Sequence, residues 1–369
     1  RIKLYEPKTQ RIYLWYDTKG HKPYCFTNIP PDQLEKIDRL VTHPGFERFE
    51  VVEKYDALRD QNIKVTKIIA KDPLAIGGRS RGCIRDIIPE DYPRVFGPDK
   101  EVKVWEAAIK YYQCYIYDLQ LNPGMPYQIR DGELVPFKDE EAERKIRKLC
   151  EKYFKDEPED ILPYVETWAR LLEYPAPEMK RVAIDIEVAS PVATRVPDPR
   201  EANNEVICVS LVDSNGKKRV LLLKRREIKE EEPKLPLDVF IEFYNSERDL
   251  LSAVFRTLSE YPFVVTFNGD DFDFRYLYHR ALNLGFSREE IPIELGREVS
   301  LLKYGVHIDL YKFFFNRSIQ IYAFAQKYRN VTLNELGATL LGQPKLEPSK
   351  PITELSYTCL LYTSPSPRD

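Results

Sequence analysis

A chain of 369 residues is long enough for two or three domains, and 43% hydrophobic with 31% charged residues is an ordinary globular balance. A formal net charge of −3 offers nucleic acid no bulk attraction, though a locally basic groove or metal ions could still supply it. No apolar run is long enough to cross a bilayer, and six scattered cysteines without a CxxC pair argue against a zinc or disulfide framework and for a reducing cytoplasm.

The chain opens on Arg1 rather than Met, with no charged-then-apolar leader, as expected of a fragment or a processed chain. Residues 1–70 read as strands and turns. RIYLWYD (11–17) and KPYCFTNIP (22–30) have strand composition, and PDQLEKIDRLVTHP (31–44) reads as a short amphipathic helix carrying Leu34, Ile37 and Leu40. NIKVTKIIAKDP (62–73) is a strand ended by proline, and 77–100 is rich enough in Gly, Arg, Asp and Pro to predict a loop. Residues 104–121 suggest one long helix, and 138–160 a charged helix and linker. PAPEMKR (175–181) marks a boundary, after which strand, hairpin, helix and strand follow as in an α/β domain. In that stretch 206–223 is a hairpin turning at SNG, 246–261 an amphipathic helix and FVVTFN (263–268) a buried strand.

The chemistry concentrates in RVAIDIEVAS (181–190). Side chains alternate along a strand, so Ala183, Asp185, Glu187 and Ala189 share one face while Val182, Ile184, Ile186 and Val188 share the other. Two like charges so close raise each other's pKa, and a divalent cation relieves that because hard oxygen ligands suit Mg²⁺ or Mn²⁺. An edge strand with a wet polar face is the alternative. A second acidic cluster follows in FVVTFNGDDFDFRYLYHRA (263–281): strand, turn at Asn268–Gly269, then helix. Asp270 or Asp271 is expected to cap that helix, and Asp273 falls in its first turn, where an anion is favoured. Capping does not require Asp273.

A strand bearing DIE, followed in order by strand, NGDDFD and helix, resembles the first two exonuclease motifs of family B DNA polymerases. These are DEDD-type 3′–5′ exonucleases with an RNase H-like fold. HIDLYKFFFNRSIQIYAFAQKYRNVTLNELGATLLG (307–342) is similar to the segment between the second and third motifs of archaeal members. KPYCF (22–26), KVTKIIAKDPLAI (64–76) and IYDLQLNPGMPY (116–127) resemble their amino-terminal domain.

The resemblance implies an α/β (α+β) chain. An RNase H-like exonuclease domain (176–358), with a mixed sheet flanked by helices, follows a smaller α+β amino-terminal domain (1–175) of the template- or uracil-sensing type. It makes Asp185, Glu187 and Asp273 the catalytic metal ligands for two Mg²⁺ or Mn²⁺ ions, with Asn268 positioning a frayed 3′ end and Phe272 packing beneath. It pairs Pro23 and Tyr24 with Pro73 and Ile76 as walls of a uracil pocket, against the alternative of plain core and turn residues. Arg79, Arg81 and Arg85 are candidate phosphate contacts, or simply solvated.

The implied partners are a DNA primer-template and a single-stranded 3′ end, with dNTPs and a sliding clamp as partners of the intact parent. No membrane is implied, and a cytoplasmic location is. The parent would be a DNA-directed DNA polymerase that proofreads. A free-standing nuclease and an inactive template-scanning module are the alternatives.

The third motif, Tyr-x-x-x-Asp, is not found: Tyr304 plus four is Ile308 and Tyr311 plus four is Phe315. ITELSY (352–357) resembles its lead-in, and CLLYTSPSPRD (359–369) then reads as a translated sequencing adapter, or else a Ser/Pro-rich tail. The chain alone is therefore expected to hydrolyse DNA poorly.

Overall fold

The strand expected around the two acids is present as β1 (Arg181–Val188), and its burial alternates as the pattern requires. Val182, Ile184, Ile186 and Val188 are buried, whereas Asp185 and Glu187 are half-buried. This computed structural model describes residues 1–78, 82–189, 196–224 and 238–344. Arg79, Arg81, the 352–357 lead-in and the 359–369 tail lie outside the described residues.

Among the described residues β1 belongs to a six-stranded mixed sheet. Its other strands are β2 (Val206–Asp213), β3 (Lys218–Leu223), β4 (Val239–Tyr244), β5 (Phe263–Thr266) and β6 (Val306–Asp309), in the order β4-β3-β2-β1-β5-β6. The β2–β3 hairpin turns where SNG predicts it. The Asp213 carboxylate accepts the Asn215 and Lys217 N–H groups at 2.8 and 3.0 Å, and Gly216 takes φ +79°, a left-handed conformation that glycine adopts without strain. Strands β3 and β4, β1 and β5, and β5 and β6 pair in parallel. A bulge between Val206 and Cys208 sets two residues of β2 against the acidic end of β1.

Helices α1 (Glu247–Glu260) and α2 (Asp273–Asn283) cover the apolar face of this sheet. Ser246 caps α1 by accepting the Asp249 N–H. Leu250, Leu251, Val254, Phe255 and Leu258 then fall on one stripe and are buried with Ile184, Ile186 and Phe274. Buried Glu247 holds Arg280 of α2 through two hydrogen bonds of 2.8 and 2.5 Å, so the two helices are tied by a forked ion pair.

The chain divides into two units, and the one carrying this sheet is discontinuous: Arg1–Tyr16 with Ala176–Asp369, against Asp17–Pro175. The opening hairpin (Ile2–Glu6 and Arg11–Trp15) thus groups with the carboxylate-bearing unit, not with the residues that follow it. The reason is local. Tyr5 packs edge-on against Phe263 at 4.9 Å and donates to the Glu178 carbonyl, and the Lys3 ammonium reaches the Gly305 carbonyl at 2.6 Å.

In the second unit a four-stranded antiparallel sheet (Phe46–Asp56, Gln61–Ala70, Tyr24–Thr27, Val104–Trp105) carries short helices on one face. Three expectations change here. The helix expected over 31–44 is two single turns, Pro31–Leu34 and Asp38–Val41, although Leu34, Ile37 and Leu40 are all buried as the pattern requires. Residues 77–100 contain a helix, Ile84–Phe96, because Ile84, Ile87, Ile88 and Tyr92 recur on one buried face while Pro89 stays on the exposed side. The long helix expected over 104–121 shrinks to Tyr111–Asp118, since Trp105 pairs with Phe26 as a strand and Glu106 turns left-handed at φ +62°.

Among the described residues no helix is long and apolar enough to cross a membrane. Leu251→Ala should destabilise the carboxylate-bearing unit by about 2–5 kcal/mol, read by urea denaturation, because it empties the centre of the α1 stripe.

Candidate active site

Parallel pairing of β5 with β1 stops early. Phe263, Val264 and Val265 pair with Arg181, Val182 and Ala183, after which the β5 chain turns while β1 runs on through Asp185 and Glu187. The turn at 267–272 therefore lies beside the acidic half of β1. It feeds α2, whose first residue is the buried Asp273. The Asp273 Oδ1 accepts the N–H of Ile186, the residue between Asp185 and Glu187, at 3.3 Å. Carboxylates from two elements 87 residues apart are thus brought to one short stretch of strand.

The turn has little freedom. Asn268 sits at φ +65°, a left-handed conformation that Asn tolerates better than most residues. Gly269 packs so tightly that a Cβ would lie 2.3 Å from the Thr266 hydroxyl oxygen. Asp309, at the end of β6, gathers the turn: its oxygens accept the Asn268 N–H at 2.8 Å, the Asp270 N–H at 3.0 Å and the Tyr311 N–H at 3.0 Å.

Neither Asp270 nor Asp271 caps α2, contrary to expectation. The N-cap position is Phe272, and the turn's own carbonyls take the first helical N–H groups, as when Phe274 donates to Gly269 at 2.9 Å. Asp270 is instead buried and accepts the Ser300 N–H at 2.5 Å and the Lys312 ammonium at 2.6 Å. His307 Nδ1 lies 2.8 Å from the Ser300 carbonyl, which can only accept, so Nδ1 carries the proton. Its Nε2 meets the Thr266 hydroxyl at 2.7 Å, and its ring stacks on Phe274.

Two carboxyls three residues apart are driven in opposite directions. Burial alone would raise the Asp270 pKa, but hydrogen bonds from His307, Lys312 and the Ser300 backbone outweigh it and hold it at about 2. Asp273 is raised well above the usual carboxylate range by its burial, with the Asp309 charge adding to the effect.

The donor set suits a hard divalent cation: all oxygen, with a buried carboxyl whose charge is poorly compensated. Among the described residues, however, no three His, Cys, Asp or Glu side chains stand in an arrangement that could hold a metal ion. Asn268 is half-buried on the turn. Phe272 packs on Tyr276 at 5.7 Å, whose hydroxyl donates to the Asn204 carbonyl.

Of the four residues proposed as uracil-pocket walls, Pro23 and Tyr24 are buried, Ile76 is buried and Pro73 is exposed at the first position of a short helix. Tyr24 faces Phe26, Val65 and Ile69, whereas Ile76 packs with Cys25 and Ile68 on the other face of that sheet. Arg85 is half-buried and bonds Asp86 at 3.1 Å.

Residues 102–321 match the family model for the DNA polymerase family B exonuclease domain, and the chain belongs to that family. It is 40% identical to DNA polymerase 1 of Sulfolobus acidocaldarius over 345 residues, spanning 94% of this chain and 37% of that protein. Over 364 residues it is 37% identical to DNA polymerase 1 of Aeropyrum pernix, spanning 98% and 36% respectively. Its fold resembles the family B DNA polymerase from the hyperthermophilic archaeon Pyrobaculum calidifontis, with a TM-score of 0.51 at 17% identity, over 80% of this chain and 32% of that one. The chain thus spans little more than a third of the length of these curated relatives.

Asp309→Ala strands three backbone donors and should cost at least about 2 kcal/mol in denaturant unfolding. The depressed Asp270 pKa contributes stability that is complete above an ordinary carboxyl pKa of about 4 and is lost as pH falls towards 2. Lys312→Met should therefore flatten the acid limb of a stability-against-pH curve between those values.

Proposed function

We propose that this chain is the amino-terminal and proofreading part of a DNA polymerase. Its carboxylate-bearing unit would hydrolyse mispaired nucleotides from a DNA 3′ end, within a parent enzyme that extends DNA on a template. The observation that carries this reading is the approach of the Asp273 carboxylate to the backbone between Asp185 and Glu187. Family membership over residues 102–321 supports it.

The residues suit the task for electrostatic reasons. A phosphodiester brought to three carboxylates meets repulsion, so the acids serve hydrolysis only with cations between them. Asp185, Glu187 and Asp273, which do not already stand as a metal site, would have to draw together to hold Mg²⁺ or Mn²⁺, which when bound supplies charge neutralisation and Lewis-acid polarisation of the phosphodiester. Asp273 is oriented for this by the Ile186 N–H, which fixes one oxygen. The Asn268–Gly269 turn, held from behind by Asp309, would present Asn268 to the terminal nucleotide. Phe272, resting on Tyr276, would form the floor beneath it.

The test has two readouts. In the intact parent with Mg²⁺, Asp185→Ala and Asp273→Ala should each abolish 3′-end degradation and spare primer extension. In the 369-residue chain, Mn²⁺ at about 100 times its Kd should stabilise the wild type by about 2.7 kcal/mol, and the Asp185→Asn, Asp273→Asn double variant by much less. A parent that degrades 3′ ends equally well without these carboxylates would sink the assignment.

A further inference from the structure

Next to the carboxylate site, a cleft of about 560 Å³ is lined by Arg200, Arg275 and Arg297, with Asp198 and Asp271 also on its wall. Neither the family match nor the carboxylates require it. Arg275 is the most constrained of its cations. Its Nε donates to the Asp270 carbonyl at 2.8 Å and its Nη2 to the Arg297 carbonyl at 3.1 Å, which pins the guanidinium edge-on. Among the described residues nothing accepts a hydrogen bond from its Nη1. Arg200 and Arg297 are exposed, and among the described residues neither side chain is in an ion pair.

The two acids cancel only part of this charge. Asp198 accepts the Arg200 backbone N–H at 2.8 Å, and the exposed Asp271 forms a long ion pair with Arg275 at 3.9 Å. Half-buried His279, on the same helix as Arg275, feels the result. Its pKa is lowered by burial first, and then by the charges of Arg275 and Arg200.

Three guanidiniums against two carboxylates leave the cleft lining with a net positive charge in a chain whose formal net charge is −3. Guanidiniums are planar donors matched to phosphate oxygens. Arg275 also stands two residues beyond Asp273 and is bonded to the carbonyl of Asp270, so the cleft and the carboxylates share one rigid turn.

We infer that this arginine cleft binds a phosphate group of the nucleic-acid strand processed at the carboxylates, resting on the proofreading reading above. The phosphate belongs either to the strand backbone or to a released nucleoside 5′-monophosphate. The chemistry is the same, and the sources are separable by experiment.

The test is binding by the full 369-residue chain in EDTA, which removes hydrolysis from the readout. Fluorescence anisotropy of a short labelled oligothymidylate is compared with calorimetry of thymidine 5′-monophosphate. The variants are Arg200→Gln with Arg297→Gln, both on exposed side chains, and the control is Arg288→Gln, an exposed charge of the same unit outside the cleft.

If the cleft holds backbone phosphates, the double variant should bind the oligonucleotide about tenfold more weakly near 0.1 M salt, with a log K against log salt slope shallower by about 1.4. If it holds the released nucleotide, affinity for the monophosphate alone should fall. In both cases Arg288→Gln should behave as wild type. A double variant that binds both probes like wild type, at an unchanged melting temperature, overturns the cleft and leaves the proofreading reading standing. A wild-type chain that binds neither probe also overturns the cleft, while the proofreading reading, whose carboxylates need the cations that EDTA removes, stands or falls on its own test of Asp185→Ala and Asp273→Ala in the intact parent.

Discussion

The arrangement of this unit depends on one carboxylate that is not among the expected metal ligands. Asp309 ends β6 where its neighbour β5 also ends, Thr266 being paired with Asp309. From there it accepts N–H groups from Asn268, Asp270 and Tyr311. A tight turn with a left-handed Asn and a sterically confined Gly is costly to hold. A charged acceptor bridging it to the next element offsets that cost. Only with the turn fixed does α2 begin where Asp273 can meet the Ile186 N–H.

The electrostatics of that turn follow from burial and partners together. Asp270 and Asp273 are both buried and three residues apart, yet one is supplied with cationic as well as backbone donors and the other with backbone donors alone. Asp270 is consequently a structural anion, locked to Ser300 and Lys312. Asp273 has a backbone N–H for support and a second acid, Asp309, adding to its strain. Environments that drive neighbouring acids apart in pKa commonly separate a structural group from a working one.

What could be read from the residues was mostly periodic and local. The alternation of 181–188, the SNG hairpin and the α1 stripe each need a window of only a dozen or so residues, and all three stand as expected. The failures are also local. Two prolines hid the helix Ile84–Phe96, whose apolar stripe outweighed them, and a strand pairing with Phe26 cut short the helix expected from residue 104. The long-range part of the Asp309 network could not be read. Two of its three bonds join residues 41 and 39 positions apart, and no pattern in VHID says which distant N–H groups its acid will meet. An acid ending a buried strand and opening a helix was the one available hint, since Asp309 does cap Leu310–Phe315.

On the proofreading reading, the same turn would let a chain of slightly negative charge meet a polyanion. Its carboxylates lie on the β1 side, while Arg275, one helical step on, is held by carbonyls and directed into the arginine-lined cleft. Opposite charges so near one another would ordinarily pair and neutralise. Here Asp273 is engaged by the Ile186 N–H, and Arg275 by the Asp270 and Arg297 carbonyls, with only a long ion pair of 3.9 Å to Asp271. Net charge is therefore a poor guide to such a surface, since backbone dipoles decide which charges stay available to a ligand.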